Sequence, residues 1–355
     1  MKTKNLGVVV FLVAIAVTMG SASATTYTVN SSMTNTAIQG VITNANSGDI
    51  IQFKAGTYTG ISLNINKALT LQNYLGTVTI KGDTSKSAVF NVLNTAGVTI
   101  KGFTINGSSV RDYILLNNVN SSTITNNVFN NNVNGTSAVY ITTGYGLNIA
   151  NNTMNMFGYG KNTGIAGYSI YNTIIKNNTL LSGGDAMNIY QAYGNLTITN
   201  NTINHMALKH GDGISIINCG TPETSTSTSI TNNKIDDTLY GIFIGGYFKG
   251  TVSGNTVTNT PVGMNITGKD AATSGNLNAS ILNNNVTGMA MENPDVVYLN
   301  LTGNTINQLN TTGYSVLTNS YYSAPGDVYV TNNIFNSPVT TAFRNSADVW
   351  TGNNI

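Results

Sequence analysis

The chain has 355 residues, of which 41% are hydrophobic and only 8% charged, with 37 Gly, 5 Pro, one Cys and Asn at about one position in six. Globular domains average roughly 25% charged residues, so the composition argues against a helix-rich surface laced with ion pairs and against a charge-rich disordered chain. The lone Cys219 excludes an internal disulfide framework and a cysteine-based zinc site.

In chain order, Lys2 and Lys4 precede an apolar run from Leu6 to Val17, and Ala22-Ser23-Ala24 supplies a small-x-small cleavage site. Residues 1–24 therefore read as a secretory signal peptide whose apolar core is too short for a comfortable membrane span. Without Lys2 and Lys4, 13 basic residues face 13 acidic ones and the formal charge is zero. Such a chain gains little from counterion release, which argues against nucleic acid as a partner. No later apolar stretch is long enough to span a bilayer.

Residues 25–98 read as a cap and first coils, continuous with the repeats that follow. Met33, Ala37, Ile38, Val41 and Ile42 recur near helical spacing and predict a short amphipathic helix covering the open end of a solenoid. Ser47-Gly48-Asp49 then turns into Ile50-Ile51-Gln52-Phe53, followed by Gly56-Thr57-Tyr58 and the strands Ala68–Leu71 and Val78–Ile80.

From residue 99 to 355 a signature recurs, apolar-x-Asn-Asn-x-apolar, with Gly in place of the first Asn in some copies. Copies run Ile124–Phe129, Ile149–Met154, Ile175–Leu180, Ile198–Ile203, Ile230–Ile235, Val252–Val257, Ile281–Val286, Leu301–Ile306, Val330–Phe335 and Trp350–Ile355, after an Asn-free copy at Ile100–Ile105. A period of about 20 to 32 residues is that of a solenoid. The two apolar positions are five apart, so a straight strand would send them to opposite faces. They share one interior only if the chain bends at Asn-Asn. The substitutes at the first position, Gly102, Gly254, Gly303 and Gly352, support this, since Gly and Asn enter left-handed backbone most cheaply. A further strand follows in each repeat, as at Val139–Ile141, Met187–Ile189, Ile214–Ile216, Ile242–Ile244 and Met264–Ile266. The fold class that results is all-β, a single-domain parallel β-helix of ten or so coils with Asn amides in register.

The order of cap helix, Gly-Asp-apolar strand, Gly-Thr-Tyr and Asn-rich coils resembles the secreted adhesin-like proteins of methanogenic archaea. Those sit within the wider pectate-lyase-like group, with its NosD-type and carbohydrate-binding/sugar-hydrolase repeats. The resemblance covers nearly all of the chain after residue 24 and implies a right-handed helix, a secreted or cell-surface location and a polysaccharide or cell-surface glycan as partner. Ile355 takes an inward position of the last motif, which suggests an end-to-end homo-oligomer or a longer parent chain.

Gly184-Asp185-Ala186-Met187-Asn188-Ile189 and Gly211-Asp212-Gly213-Ile214-Ser215-Ile216 align without gaps, which stacks Asp185 on Asp212, with His205, Lys209 and His210 nearby. Carboxylates roughly 5 Å apart suit the acid and nucleophile of glycoside hydrolysis. The Asp-Gly-Ile run resembles part of the catalytic region of polygalacturonase-type enzymes. That family's third carboxylate motif and its Gly-His-Gly and Arg-x-Lys elements are absent, and Asp before Gly also serves as a turn acceptor, so the structural role leads. No metal or cofactor is expected: the calcium repeat of β-rolls is missing, and His205 and His210 are the only histidines.

Tyr140, Tyr145, Tyr159, Tyr168, Tyr171, Tyr190, Tyr193, Tyr240 and Tyr247 crowd the central coils, and outward rings beside Asn and Thr suit sugars. The expected ligand-binding set is Tyr140, Asn188, Ser215, Phe243, Tyr190, Tyr193 and Tyr247. Asn-x-Ser/Thr sequons occur at Asn30, Asn106, Asn120, Asn134, Asn195, Asn265, Asn278, Asn300 and Asn310, while those at Asn151, Asn177 and Asn200 fall inside the bend and are expected to be inaccessible. Cys219 reads as a loop residue. The leading function is a non-enzymatic, adhesin-like glycan binder. A polysaccharide hydrolase or lyase using Asp185 and Asp212 is the alternative, and a structural envelope rod the third.

Overall fold

The computed structural model describes residues 23–107, 111–131, 135–156, 162–204, 211–219, 227–267, 269–270, 273–274, 276–292, 295–307, 316–318, 327–336 and 348–352. Its strands wind into a parallel solenoid of about ten turns, and almost every pairing joins a strand to its counterpart one coil away. Three sheets run along the rod. A pre-corner sheet contains Thr123–Thr125, Leu196–Thr199 and Thr228–Thr231. A post-corner sheet contains Val128–Asn131, Thr202–Asn204 and Lys234–Asp236. A third sheet holds the longer strands Ser137–Tyr145, Thr163–Tyr171, Met187–Ala192 and Ile214–Cys219.

The corner between the first two sheets behaves as its residue types require. Gly102, Asn126, Asn151, Asn177, Asn200, Asn232, Gly254, Asn283, Gly303 and Asn332 all have φ between 53° and 79°. The left-handed turn brings both apolar positions inside. Ile124, Ile149, Ile175, Ile198 and Ile230 form one buried column before the corner, and Phe129, Met154, Leu180, Ile203 and Ile235 another after it.

The second Asn of each pair has a different task. Asn127, Asn152, Asn178, Asn201, Asn233, Asn255, Asn284, Asn304 and Asn333 are buried and form one amide ladder. From Asn127 to Asn304, each donates its backbone N–H and its Nδ2 to the Oδ1 of the next, at 2.9–3.1 Å. The remaining Nδ2 hydrogen reaches back to the carbonyl of the pre-corner apolar residue one coil earlier, as from Asn201 to Ile175 at 3.1 Å. Polar groups that would be costly to bury at a bend are thereby satisfied within the interior.

The predicted cap helix spans Asn35–Asn44, with Thr34 accepting from the Ala37 N–H and Lys67 Nζ donating to the carbonyls of Thr43 and Ala45 at its last turn. A cation there also complements the helix dipole. Ile38 and Ile42 are buried, and Met33 and Val41 pack partly against the core. Ala37 is exposed, contrary to the helical pattern, and Ala45 is buried instead. Ile355, with its implied covering partner, lies outside the described residues.

Candidate functional site

Asp185 and Asp212 stand one above the other as the alignment requires, and a relay of backbone bonds joins them. Asp185 Oδ1 accepts the N–H of Asp212 at 3.0 Å, and the Asp212 carboxylate accepts the N–H of Tyr240 on the following coil. Each carboxylate also binds the side chain three residues on: Asn188 Nδ2 donates to Asp185 Oδ2 at 2.7 Å, and Ser215 donates to Asp212. Both carboxylates thus accept backbone N–H groups from the coil that follows. Burial, followed by the charge of Asp185, pushes the Asp212 carboxyl up to about 7, and the bonds from Ser215 and Tyr240 act in the opposite sense. His205, Lys209 and His210 lie outside the described residues.

Tyr140, Asn188, Ser215 and Phe243 occupy one outward column of the third sheet, with Ala166 between Tyr140 and Asn188. Outward orientation does not leave them equally open. Ser215 is buried and, like Asn188, is engaged by an aspartate, while the Phe243 ring lies 5.9 Å from that of Tyr240.

The tyrosines separate into two sets of touching rings along neighbouring coils. Tyr145, Tyr171 and Tyr193 stack nearly parallel, with centroids 4.3 and 5.3 Å apart and interplanar angles of 9° and 27°. The middle ring, Tyr171, is stacked on both sides, while Tyr145 at the end of the stack is 40% exposed. Tyr168 and Tyr190 are register partners, with centroids 5.7 Å apart at 51°, and Tyr140, whose own register partner is Ala166, reaches Tyr168 diagonally at 6.2 Å and 68°. Tyr168 is 47% exposed and is the most open of the three. Left-handed residues Ser169 and Gln191 turn the chain between the columns, so the two tyrosine sets lie either side of a corner. Tyr247 joins neither column; its N–H donates to Asn218 Oδ1 at 3.3 Å. Tyr159 lies outside the described residues.

A charged pair that belongs to none of the repeated motifs lies beside Tyr140. Arg111 donates from Nε to Asp112 at 2.9 Å and lies 5.6 Å from the Tyr140 centroid. Asp112 is 2% exposed, and burial raises its pKa against the pull of Arg111. The signal available in the sequence was Arg-Asp-Tyr opening a strand.

Cys219 is not a loop residue: it ends the strand Ile214–Cys219, is fully buried, and burial pushes its thiol up to about 12. The sequon at Asn265 is buried, and those at Asn30, Asn120 and Asn195 are exposed. Asn151, Asn177 and Asn200 are exposed too, against expectation, because the left-handed corner turns the first Asn outward while the second enters the ladder. Asn134 and Asn310 lie outside the described residues. Among the described residues no group of three or more His, Cys, Asp or Glu could hold a metal ion, and no helix is long and apolar enough to cross a membrane.

Comparison with solved structures shows the same architecture. A polygalacturonase from Erwinia carotovora ssp. carotovora aligns with a TM-score of 0.54 at 16% identity, over 93% of this chain and 94% of its own. PfbA, a surface adhesin of Streptococcus pneumoniae, gives 0.59 at 14%, over 90% and 84%. The A-module of the Azotobacter vinelandii mannuronan C-5 epimerase AlgE4 gives 0.57 at 12%, over 90% of each chain. At such identities the likeness is one of fold. No curated protein matches the sequence significantly. The family model for the right-handed β-helix region matches residues 87–229 and 188–355, and the chain belongs to that family.

Proposed function

We propose that the protein is a secreted or cell-surface, adhesin-like β-helix that binds a glycan on its third sheet without cleaving it. The observation that carries this reading is Tyr168, 47% exposed and tilted against the half-buried rings of Tyr140 and Tyr190, which together present an apolar platform. The charge-poor chain and the secretory-leader pattern of residues 1–24 are consistent with it. That the fold is shared with a surface adhesin and with polysaccharide-acting enzymes supports the substrate class without choosing between binding and catalysis. The test is a glycan array followed by calorimetry on the chain lacking residues 1–24. Signal that falls in Tyr168→Ala supports the platform, and flat responses across wall polysaccharides remove it.

A second reading rests on Asp212. A carboxyl pushed up to about 7 beside a second carboxylate is suited to general acid catalysis. The backbone bonds that both carboxylates accept favour the structural role. Release of reducing ends, or absorbance from unsaturated products, across a polysaccharide panel would reverse this preference if Asp212→Asn abolished it.

A further inference from the structure

Outward polar residues on this rod are commonly tied to the coil beside them. On the post-corner sheet Asn130 Nδ2 donates to Asn106 Oδ1 at 2.8 Å, and Asn155 Nδ2 to Asn130 Oδ1 at 2.7 Å. Farther along, Asn336 donates to Asn307 at 2.7 Å, and on the pre-corner sheet Thr231 donates to Thr199 at 2.9 Å. The outer asparagine ladder stops where Leu181 takes the position paired with Asn155. Beyond that break lies a groove of about 220 Å³ across three successive strands, Thr202–Asn204, Lys234–Asp236 and Thr256–Thr258.

The strand register arranges the wall in two rows, Thr202, Lys234 and Thr256 in one, Asn204, Asp236 and Thr258 in the other. Asp236 is held in place. Its Oδ1 accepts the Thr258 hydroxyl and the Asn259 amide, each at 2.7 Å, which draws the carboxylate toward the following coil and leaves Oδ2 without a partner among the described residues. Lys234, two residues earlier on the same outward side, makes no ion pair with it, and among the described residues its ammonium has no hydrogen-bond partner. Among the described residues the side chains of Thr202, Asn204 and Thr256 likewise have no hydrogen-bond partner.

One fixed carboxylate, one free ammonium and an amide, set among threonines that bring methyl groups beside hydroxyls, suit a neutral ligand with many hydroxyls and an apolar C–H face. An anion meets Asp236 and a metal cation meets Lys234 with too few oxygen ligands. The volume is below the roughly 300–1,000 Å³ of pockets that enclose a drug-sized molecule, so it suits a single ring. We propose that this groove is a subsite for one pyranose residue of a neutral glycan, with Asp236 Oδ2 accepting from a sugar hydroxyl, Lys234 donating to a sugar oxygen and the Asn204 amide bonding a neighbouring hydroxyl. It lies on a different sheet from the tyrosine column and does not rest on that platform.

The test uses the full chain after residue 24 with labelled threonine methyl groups, titrated with cellotetraose, laminaritetraose, mannotetraose and maltotetraose. At least one of them is expected to shift the methyl signals of Thr202, Thr256 and Thr258. Asp236→Asn keeps an Oδ1 acceptor for Thr258 and Asn259 and converts Oδ2 into a donor, so folding is preserved while affinity at those signals falls on the order of tenfold. Lys234→Met weakens the same response. Tyr168→Ala leaves it unchanged, so loss of the tyrosine platform and loss of this groove are read separately. Still threonine signals with all four sugars at about 10 mM, a response that Asp236→Asn does not alter, or a response confined to a zwitterion such as β-alanine, would each overturn the proposal.

Discussion

Asp212 donates its backbone N–H to Asp185 Oδ1 at 3.0 Å, and its own carboxylate accepts the N–H of Tyr240 on the coil beyond. The two side chains therefore do for the turn before the third sheet what the buried asparagines do for the corner: they carry backbone bonds from coil to coil. What distinguishes them is charge, because two carboxylates held this close on a partly buried surface repel one another.

That repulsion gives a signed pH dependence. Burial and Asp185 push the Asp212 carboxyl from 3.8 up to about 7, so between those values the folded state holds a proton that the unfolded state has released. The stabilisation is complete below the unfolded value and is lost as pH rises through about 7. Thermal midpoints of the wild-type chain should fall from pH 4 to pH 8, and Asp212→Asn should flatten that slope. Parallel profiles for the two proteins would show that Asp212 is ionised throughout.

The amide ladder should be intolerant of interruption at its middle. Asn201→Ala removes the acceptor for the backbone N–H and Nδ2 of Asn178, and leaves the Ile175 carbonyl and the Asn233 Oδ1 short of a donor. A buried group left unsatisfied costs about 1–3 kcal/mol, so the loss should reach about 3 kcal/mol or more in urea denaturation. The neighbouring Asn200 stands at φ 55° with its side chain exposed, and there Asn200→Gly should be close to neutral while Asn200→Ala costs about 1–2 kcal/mol. Equal costs at the two positions would mean that the pair does not divide its labour in this way.

This division marks the limit of what the sequence discloses. The bend is legible because Gly254 and Gly303 replace the first Asn and leave the second in place, a substitution pattern that backbone conformation explains and hydrogen bonding does not. Parity then gives the two apolar columns. Which sequons are exposed is not legible, since Asn151 and Asn152 differ only in which side of a left-handed turn they leave. Tyrosine packing is equally hidden: Tyr168 and Tyr171 both point outward, and the corner at Ser169 decides that one ring stays open while the other stacks between Tyr145 and Tyr193. The row of Thr202, Lys234 and Thr256 follows from the signature, since each holds its fifth position, but that the space beside them forms a groove emerges only from the structure.

Cys219 supplies a probe of global opening. It is fully buried at a strand end, and burial pushes its thiol up to about 12, so almost no thiolate is present or reachable at neutral pH. Iodoacetamide should leave the native chain unmodified over hours at pH 8 and label it fully in urea. Rapid native labelling would mean that the coil around Cys219 opens independently of the rest.

The two tyrosine columns should respond differently to truncation. Tyr171 is flanked by Tyr145 and Tyr193 on its two faces, so Tyr171→Ala removes two ring–ring contacts worth about 0.5–1.5 kcal/mol each and should lower stability with little effect on glycan binding. Tyr168 is 47% exposed and only tilted against its neighbours, so Tyr168→Ala should change stability little and reduce binding about tenfold, the weight of one stacking contact of roughly 1–2 kcal/mol. Arg111→Gln adds a control for the edge of the column, because it removes the cation from Tyr140 and strands the buried Asp112. Its main effect should therefore be on folding, with any loss of binding following the loss of native structure. Calorimetric titration and thermal melts on all three variants separate the columns. Binding that fell with Tyr171→Ala and survived Tyr168→Ala would move the glycan surface to the other side of the corner.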